Sequence, residues 1–380
     1  VTSYPPTSSS LSAGPSLATR WKLGAFVFVS TTPALGESAG LVATGLGLLI
    51  LLGSLRRPNP HALQLMLLFV VLILPISIYD LSFSTRIGFV TMSFIAIPVL
   101  LFSGFVLSQS TGDTPYLQIY ERVFLYIAVP SFIVFVIVAI RPDIAYLFPE
   151  YTYRETTHRT AFILNVVMNP DPVIRNAGFA SEPGFYQLLV NVALYARLRR
   201  LGRPDRICGF YLLVVLSTVS TAGIAVALFL VSTKFDVRYR LLLIALIVIF
   251  FGATQEFLLG QYESKIANDA VFGPRFMPSV SAFYFFLDNP LGIGSVEYTL
   301  IYQQYDLGSW DSYTQIAMRY GLPGLLGFAV LLGSLGRRYP ALLGVFILSF
   351  ITSPIWFLPA ISAFYFPSGR NERATVGTPS

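Results

Sequence analysis

Val123-Phe-Leu-Tyr-Ile-Ala-Val-Pro-Ser-Phe-Ile-Val-Phe-Val-Ile-Val-Ala-Ile140 is a run without a single charge. Wound as a helix it measures ~27 Å, close to the roughly 30 Å hydrocarbon core of a bilayer. Its apolar residues are continuous; in a barrel strand the two faces would alternate. Similar runs cover His61–Tyr79 and Ile87–Ser108 before it, and Pro183–Ala196, Leu241–Phe257 and Tyr313–Leu335 after it. Ser38–Gly53 and a weaker Leu23–Gly36 precede them all. The whole chain follows suit, with 54% hydrophobic and 12% charged residues and a mean hydropathy of +0.68, against about 25% charged in a soluble domain. The expected fold is all-α, a polytopic bundle of about 10–12 transmembrane helices.

One membrane-embedded unit is expected over residues 20–366. The polar tails at 1–19 and 367–380 read as disordered. No basic n-region leads into an apolar core at the start, so no secretory signal is read there. Basic clusters set the sidedness: Arg56 with Arg57, Arg197 to Arg206, Lys234 to Arg240, and Arg337 with Arg338 belong on the cytoplasmic face. Two runs, Ile207–Thr233 and Ala341–Phe366, have basic residues at both ends, so each must return to the face it left. Breaks around Ser220–Gly223 and Thr352–Pro354 would divide each into two short half-helices. Both termini then lie inside, and the stretches 141–182 and 260–312 form two large external loops. The net charge of +6 is read as this asymmetry and not as nucleic-acid affinity.

Chemistry on a charged substrate has to come from those two stretches. The first holds Arg141, Arg154, Arg159 and Arg175 among aromatic residues. A guanidinium fork suits phosphate; the competing reading is snorkelling at the membrane interface. Arg175 precedes Glu182-Pro183-Gly184, a helix start with proline at its first position. The amino-terminal end of a helix beside an arginine makes an anion site, and Glu182 is either a capping carboxylate or a catalytic one. In the second stretch Arg275 follows Gly273-Pro274, Asn289-Pro290 starts a turn, and Gly292 and Gly294 permit close backbone approach. The P-loop pattern is absent. Arg319 lies ~9 Å along the helix expected from Tyr313, so it must face a polar cavity or an acid such as Asp311 or Glu182. Cys208 stands alone, and His61 and His158 are far apart without a ligand pattern. No metal and no cofactor is therefore expected.

The motifs Arg175-x-x-Gly178-x-x-x-Glu182-Pro183-Gly184, Arg275 with Asn289-Pro290-Leu291-Gly292-Ile293-Gly294, and Asp311-Ser312-Tyr313 leading to Tyr320-Gly321-Leu322-Pro323-Gly324 share an order and a sidedness. Together they resemble the O-antigen polymerase and ligase superfamily of bacterial envelope enzymes, over residues 170–330. The resemblance implies a glycosyltransferase of the inner (plasma) membrane, working without a metal, its active site facing the exterior. Such an enzyme moves glycan from undecaprenyl pyrophosphate to a lipid-linked repeat unit of an O-antigen, capsule or exopolysaccharide. It also implies that Arg175 and Arg275 contact the pyrophosphate, whose growing negative charge preorganised guanidinium groups would stabilise. Asp311 or Glu182 would serve the acceptor hydroxyl, with Arg319, Arg159, Tyr298, Gly292 and Gly294 lining the substrate site and tyrosines such as Tyr284, Tyr298 and Tyr302 stacking on sugars. The partners expected are the lipid-linked oligosaccharide, membrane lipids, and a flippase and chain-length regulator of the same pathway.

Two departures matter. Trp310-Asp311 stands where ligases carry His-Asn, which favours a polymerase, and Ser217 to Gly223 lacks the arginine often found after the serine. A ligase-type transferase is the alternative within this chemistry. A lipid-linked oligosaccharide flippase or transporter is the alternative outside it, although the charges gather in the two stretches and no internal repeat is visible.

Overall fold

In the computed structural model the described residues are 58–83, 87–111, 113–153, 156–161, 164–168, 174–180, 182–234, 273–305, 311–351 and 356–368, with Gly45 and Leu52. The expected spans at Leu23–Gly36 and Leu241–Phe257, nearly all of Ser38–Gly53, the tails at 1–19 and 369–380, Arg154 and the break at Thr352–Pro354 lie outside them.

The apolar runs become helices: α1 (Pro60–Phe83), α2 (Ile87–Thr111), α3 (Asp113–Ile140), α4 (Pro183–Leu201), α5 (Arg206–Ser217), α6 (Thr221–Ser232), α7 (Gly273–Asp288), α8 (Gly294–Tyr305), α9 (Ser312–Arg338), α10 (Pro340–Phe350) and the single turn α11 (Pro359–Ser362). Three segments, Pro60–Ile78, Tyr116–Ile140 and Ser312–Arg338, are long and apolar enough to cross a membrane. Their outward stripes are apolar too. Leu67, Val71, Leu74 and Ile78 on α1, and Val129, Ile133, Ile137 and Ile140 on α3, recur at helical spacing and are exposed. An exposed apolar stripe of that length suits lipid better than water.

Two parts of the expectation change. The stretch 141–182, read as loop in an all-α chain, contains a 3-10 turn (Pro142–Leu147) and a four-stranded antiparallel meander: β1 (Glu150–Tyr153), β2 (Thr156–Ala161), β3 (Leu164–Met168) and β4 (Ile174–Gly178), in that spatial order. Its strands hold Tyr151, Tyr153, Thr156, Thr157, Thr160, Val166 and Val167, side chains that favour a pleated surface. They are too short to show a long period in sequence. The stretch 260–312 is helical where it is described, as α7 and α8.

Helix α4 is the centre of the bundle. It packs against α3, α5, α6, α10 and β4, and is buried from Phe185 through Ala196. The Ile207–Thr233 run breaks at Thr218–Ser220, where Ser220 starts α6 by accepting a hydrogen bond from Gly223 N at 3.3 Å. The contacts also define two ends. Arg199 Nη1 donates to Arg338 O (3.3 Å), so α4 and α9 finish side by side. Asn59 N donates to Gln109 Oε1 (2.9 Å) and Gln109 Nε2 to Pro367 O (3.0 Å), which brings the start of α1 and the end of α2 to that level. The sheet, the start of α4, the start of α9 and the end of α1 therefore lie at the opposite end.

Candidate functional site

At the sheet end, β4 is fastened to the turn between α5 and α6. The half-buried Arg175 donates from Nε to Thr218 O (3.1 Å), and Asn176 Nδ2 donates to Ser217 Oγ (2.9 Å). Asn176 Oδ1 accepts from Gly178 N (2.9 Å), which turns the chain toward α4. Gly178 has a φ of +56°, and a Cβ there would strike the Tyr186 ring, so the glycine is required twice over. Tyr186 is itself held by a 2.5 Å hydrogen bond between its hydroxyl and Ser131 Oγ. Val219, at φ 51°, carries strain in the turn that Arg175 grips.

The expected residues divide on inspection. Glu182 occupies the cap position of α4 with extended backbone, but its carboxylate makes no capping hydrogen bond. Asp311 does cap: Oδ1 accepts from Thr314 N (2.7 Å) and Oδ2 from Thr314 Oγ1 (2.6 Å), at the start of α9. Arg159 belongs to the sheet, paired with Glu150 across β1 and β2, with its guanidinium 5.2 Å from the centroid of the Tyr146 ring. The backbone of Arg275 is in the first turn of α7, and its side chain, like that of Tyr302, lies outside the described residues. Tyr284 is exposed, whereas Tyr298 is buried, with Arg319 over its ring at 4.5 Å. That face of Tyr298 is covered by the guanidinium and cannot also stack on a sugar.

Arg319 is the focus of the second region. Helix α9 is interrupted at Gly321 (φ 60°, ψ −156°), and the turn Pro290–Gly294 docks into the interruption. Leu322 N donates to Pro290 O (2.7 Å), and Ile293 N donates to Met318 O (2.8 Å). Gly292, at φ 90°, lies so close that a Cβ would come within 2.6 Å of Gly321 N. Gly294, at φ 83°, lies against the carboxylate of Asp80. The two glycines thus serve close backbone approach, to the kink of α9 and to an acid.

That acid is the residue sequence reasoning missed. Asp80, 2% exposed at the end of α1, accepts hydrogen bonds from Ser295 N (2.7 Å, Oδ2) and Val296 N (3.2 Å, Oδ1), capping α8 from 215 residues away. Burial raises its pKa, and the two N–H groups and the nearby Arg319 charge pull it back. An acid just past an apolar run is the signal that would have found it. A polar cavity or an acid such as Asp311 or Glu182 is the expectation for Arg319; its charge also helps lower the pKa of Asp80. The guanidinium is half-buried, and its Nε has no hydrogen-bond partner.

Polar groups also run into the bundle from this end. Gln187 and Asn191 of α4 are fully buried; Asn191 Nδ2 donates to Gln187 Oε1 (2.8 Å) and to Gly223 O (3.1 Å). His158, buried in β2, has its pKa lowered to about 4 by burial, so it is neutral near pH 7. Among the described residues no three of His, Cys, Asp and Glu come together as a metal set. The chain matches no family model and is similar to no curated protein.

Proposed function

We propose that the chain is a multi-pass membrane glycosyltransferase that polymerises an envelope polysaccharide from lipid-linked repeat units. The observation that carries this reading is the placement of Arg175 and Arg319 at one end of an apolar bundle, away from the end where Arg197 and Arg200 pair with Glu121. In this reading the arginine-rich end is cytoplasmic, the sheet end is external, and about 10–12 spans surround α4. The prenyl chain of the carrier lies along the apolar outer faces.

An acceptor sugar hydroxyl attacks the anomeric carbon of the carrier-linked chain. The C1–O bond to the carrier breaks, the new glycosidic bond forms, and negative charge passes to the departing undecaprenyl pyrophosphate. Arg175 and Arg319, with Arg275 on α7, stabilise that charge in place of water. Because Asp311 serves its helix cap, the hydroxyl proton is assigned to Glu182 or to the diphosphate itself. The missing histidine before Asp311 favours polymerisation over ligation to a second kind of acceptor.

The test is elongation by purified protein in lipid nanodiscs, given lipid-linked repeat unit and neither nucleotide nor ion gradient. A ladder of polymer with release of undecaprenyl pyrophosphate is the expected result. Transfer only to a different lipid acceptor would make the protein a ligase, and translocation without bond formation would make it a transporter. Sidedness has its own check: with Cys208→Ala, single cysteines at Gly202 and Ser264 should label from the inside and the outside respectively.

A further inference from the structure

We propose that Asp80 is a positioning residue whose buried charge opposes Arg319's hold on the diphosphate, so that the leaving group can depart. The inference rests on the reading of this end as a lipid-diphosphate site.

A carboxylate that is 2% exposed is costly unless it is paired and hydrogen-bonded. Two N–H groups of α8 satisfy it, yet capping alone does not explain it. A serine, aspartate or asparagine next to the helix start would cap α8 locally. Asp80 comes from a different helix, and space for it is kept by Gly294, where any Cβ would collide with the carboxylate. What Asp80 adds, beyond a local cap, is a negative charge near the kink of α9.

That charge acts on Arg319. The guanidinium rests over Tyr298, and Tyr298 stands on the first turns of α8, the helix whose start Asp80 anchors. One carboxylate thereby fixes the ring under the arginine and supplies part of its counter-charge. Nε of Arg319 is buried without a hydrogen-bond partner, so an anion would meet the partly exposed remainder of the side chain. A lone, fully charged arginine in a half-buried setting would hold a diphosphate tightly and release it slowly. An enzyme that must expel that group in every cycle gains from a nearby negative charge.

The experiment measures binding of farnesyl pyrophosphate to the full chain in nanodiscs of neutral lipid, for wild type, Asp80→Asn, Arg319→Gln and the double variant. Asparagine keeps the acceptor for the shorter of the two N–H contacts and loses the other, so D80N removes the charge and keeps half of the cap. D80N should bind the diphosphate about tenfold tighter, the factor that ~1.4 kcal/mol supplies. Its elongation should show a lower KM together with a lower kcat, a split that loosened structure would not produce. In the double variant the tightening should vanish, and binding should fall below wild type. Should D80N alone not fold with Arg319 left uncompensated, the double variant removes both charges, and a wild-type affinity there would overturn the inference. Equal affinity of wild type and D80N overturns it as well, as does tightening that survives Arg319→Gln. If wild type binds no isoprenyl diphosphate at all, the site reading itself has failed.

Discussion

The two ends of the bundle use the same residue type in opposite ways. At the arginine-rich end, Arg197 bridges the buried Glu121 and the half-buried Asp205, and Arg200 takes both oxygens of Glu121, Oε1 at 2.8 Å and Oε2 at 2.9 Å. Arg338 donates to Phe364 O (2.5 Å) and Phe366 O (3.2 Å), and Arg199 stacks on Tyr339 at 4.4 Å. These guanidinium groups staple α3 to α4, α4 to the start of α5, and α9 to the 3-10 turn Ala363–Tyr365. At the sheet end Arg175 grips a turn carbonyl, and Arg319 lies over the Tyr298 ring with its Nε buried and without a hydrogen-bond partner. The contrast teaches that an arginine's role follows from its partners: at one end carboxylates and carbonyls of neighbouring helices make it a staple, and at the other Arg319 lies over a ring.

The contrast breaks most visibly at Glu121. Removing its charge leaves Arg197 and Arg200 facing each other across a buried position, which should cost about 3–5 kcal/mol of stability. Glu121→Gln should therefore lower the thermal unfolding midpoint sharply in detergent; an unchanged midpoint would show that the network is not a staple. Arg319→Gln should do the reverse. Elongation should fall by roughly 10²–10³-fold, as for loss of one preorganised donor, with a smaller drop in the unfolding midpoint, because Asp80 keeps its two N–H donors. A stability loss equal to that of Glu121→Gln would erase the distinction between the two ends.

Acid should separate the ends as well. The folded pKa of His158 is depressed to about 4 from 6.5, so its contribution is present above the unfolded value and is lost as pH falls from 6.5 toward 4. Asp205 is depressed to about 2 from 3.8, first by its hydrogen bond to Arg197, and its contribution is lost only as pH falls from 3.8 toward 2. Hydrogen exchange should thus show β2 and β3 loosening first, by on the order of 1–2 kcal/mol near pH 5, while the turn between α4 and α5 stays protected. His158→Phe should abolish that early phase, and its persistence would remove His158 as the cause.

The smallest effect is expected at Asp311. Asparagine keeps one capping acceptor, so Asp311→Asn should cost less than about 1 kcal/mol and leave elongation largely intact. Loss of elongation in folded Asp311→Asn protein would return the general-base role to Asp311 and move the active centre to the start of α9.

Much of the frame was legible in one dimension. Continuous apolar runs announced α1, α2, α3 and α9, because burial in lipid demands length and composition that local sequence carries. The break before α6 was legible as well, since Ser220 and Gly223 impose their geometry on neighbours a few residues away. So was the close approach permitted by Gly292 and Gly294, though its targets were not. The meander at β1–β4 escaped because its strands span only four to six residues and one register shift interrupts them. The residues alone determined that this is a helical, lipid-compatible chain with arginines in two distinctive stretches. Only the tertiary structure decided which arginines are staples and which are not, and that Asp80 caps α8 at Ser295 within reach of Arg319's charge. Charge interaction depends on distance in space and on burial, and neither can be read from positions 215 or 239 residues apart.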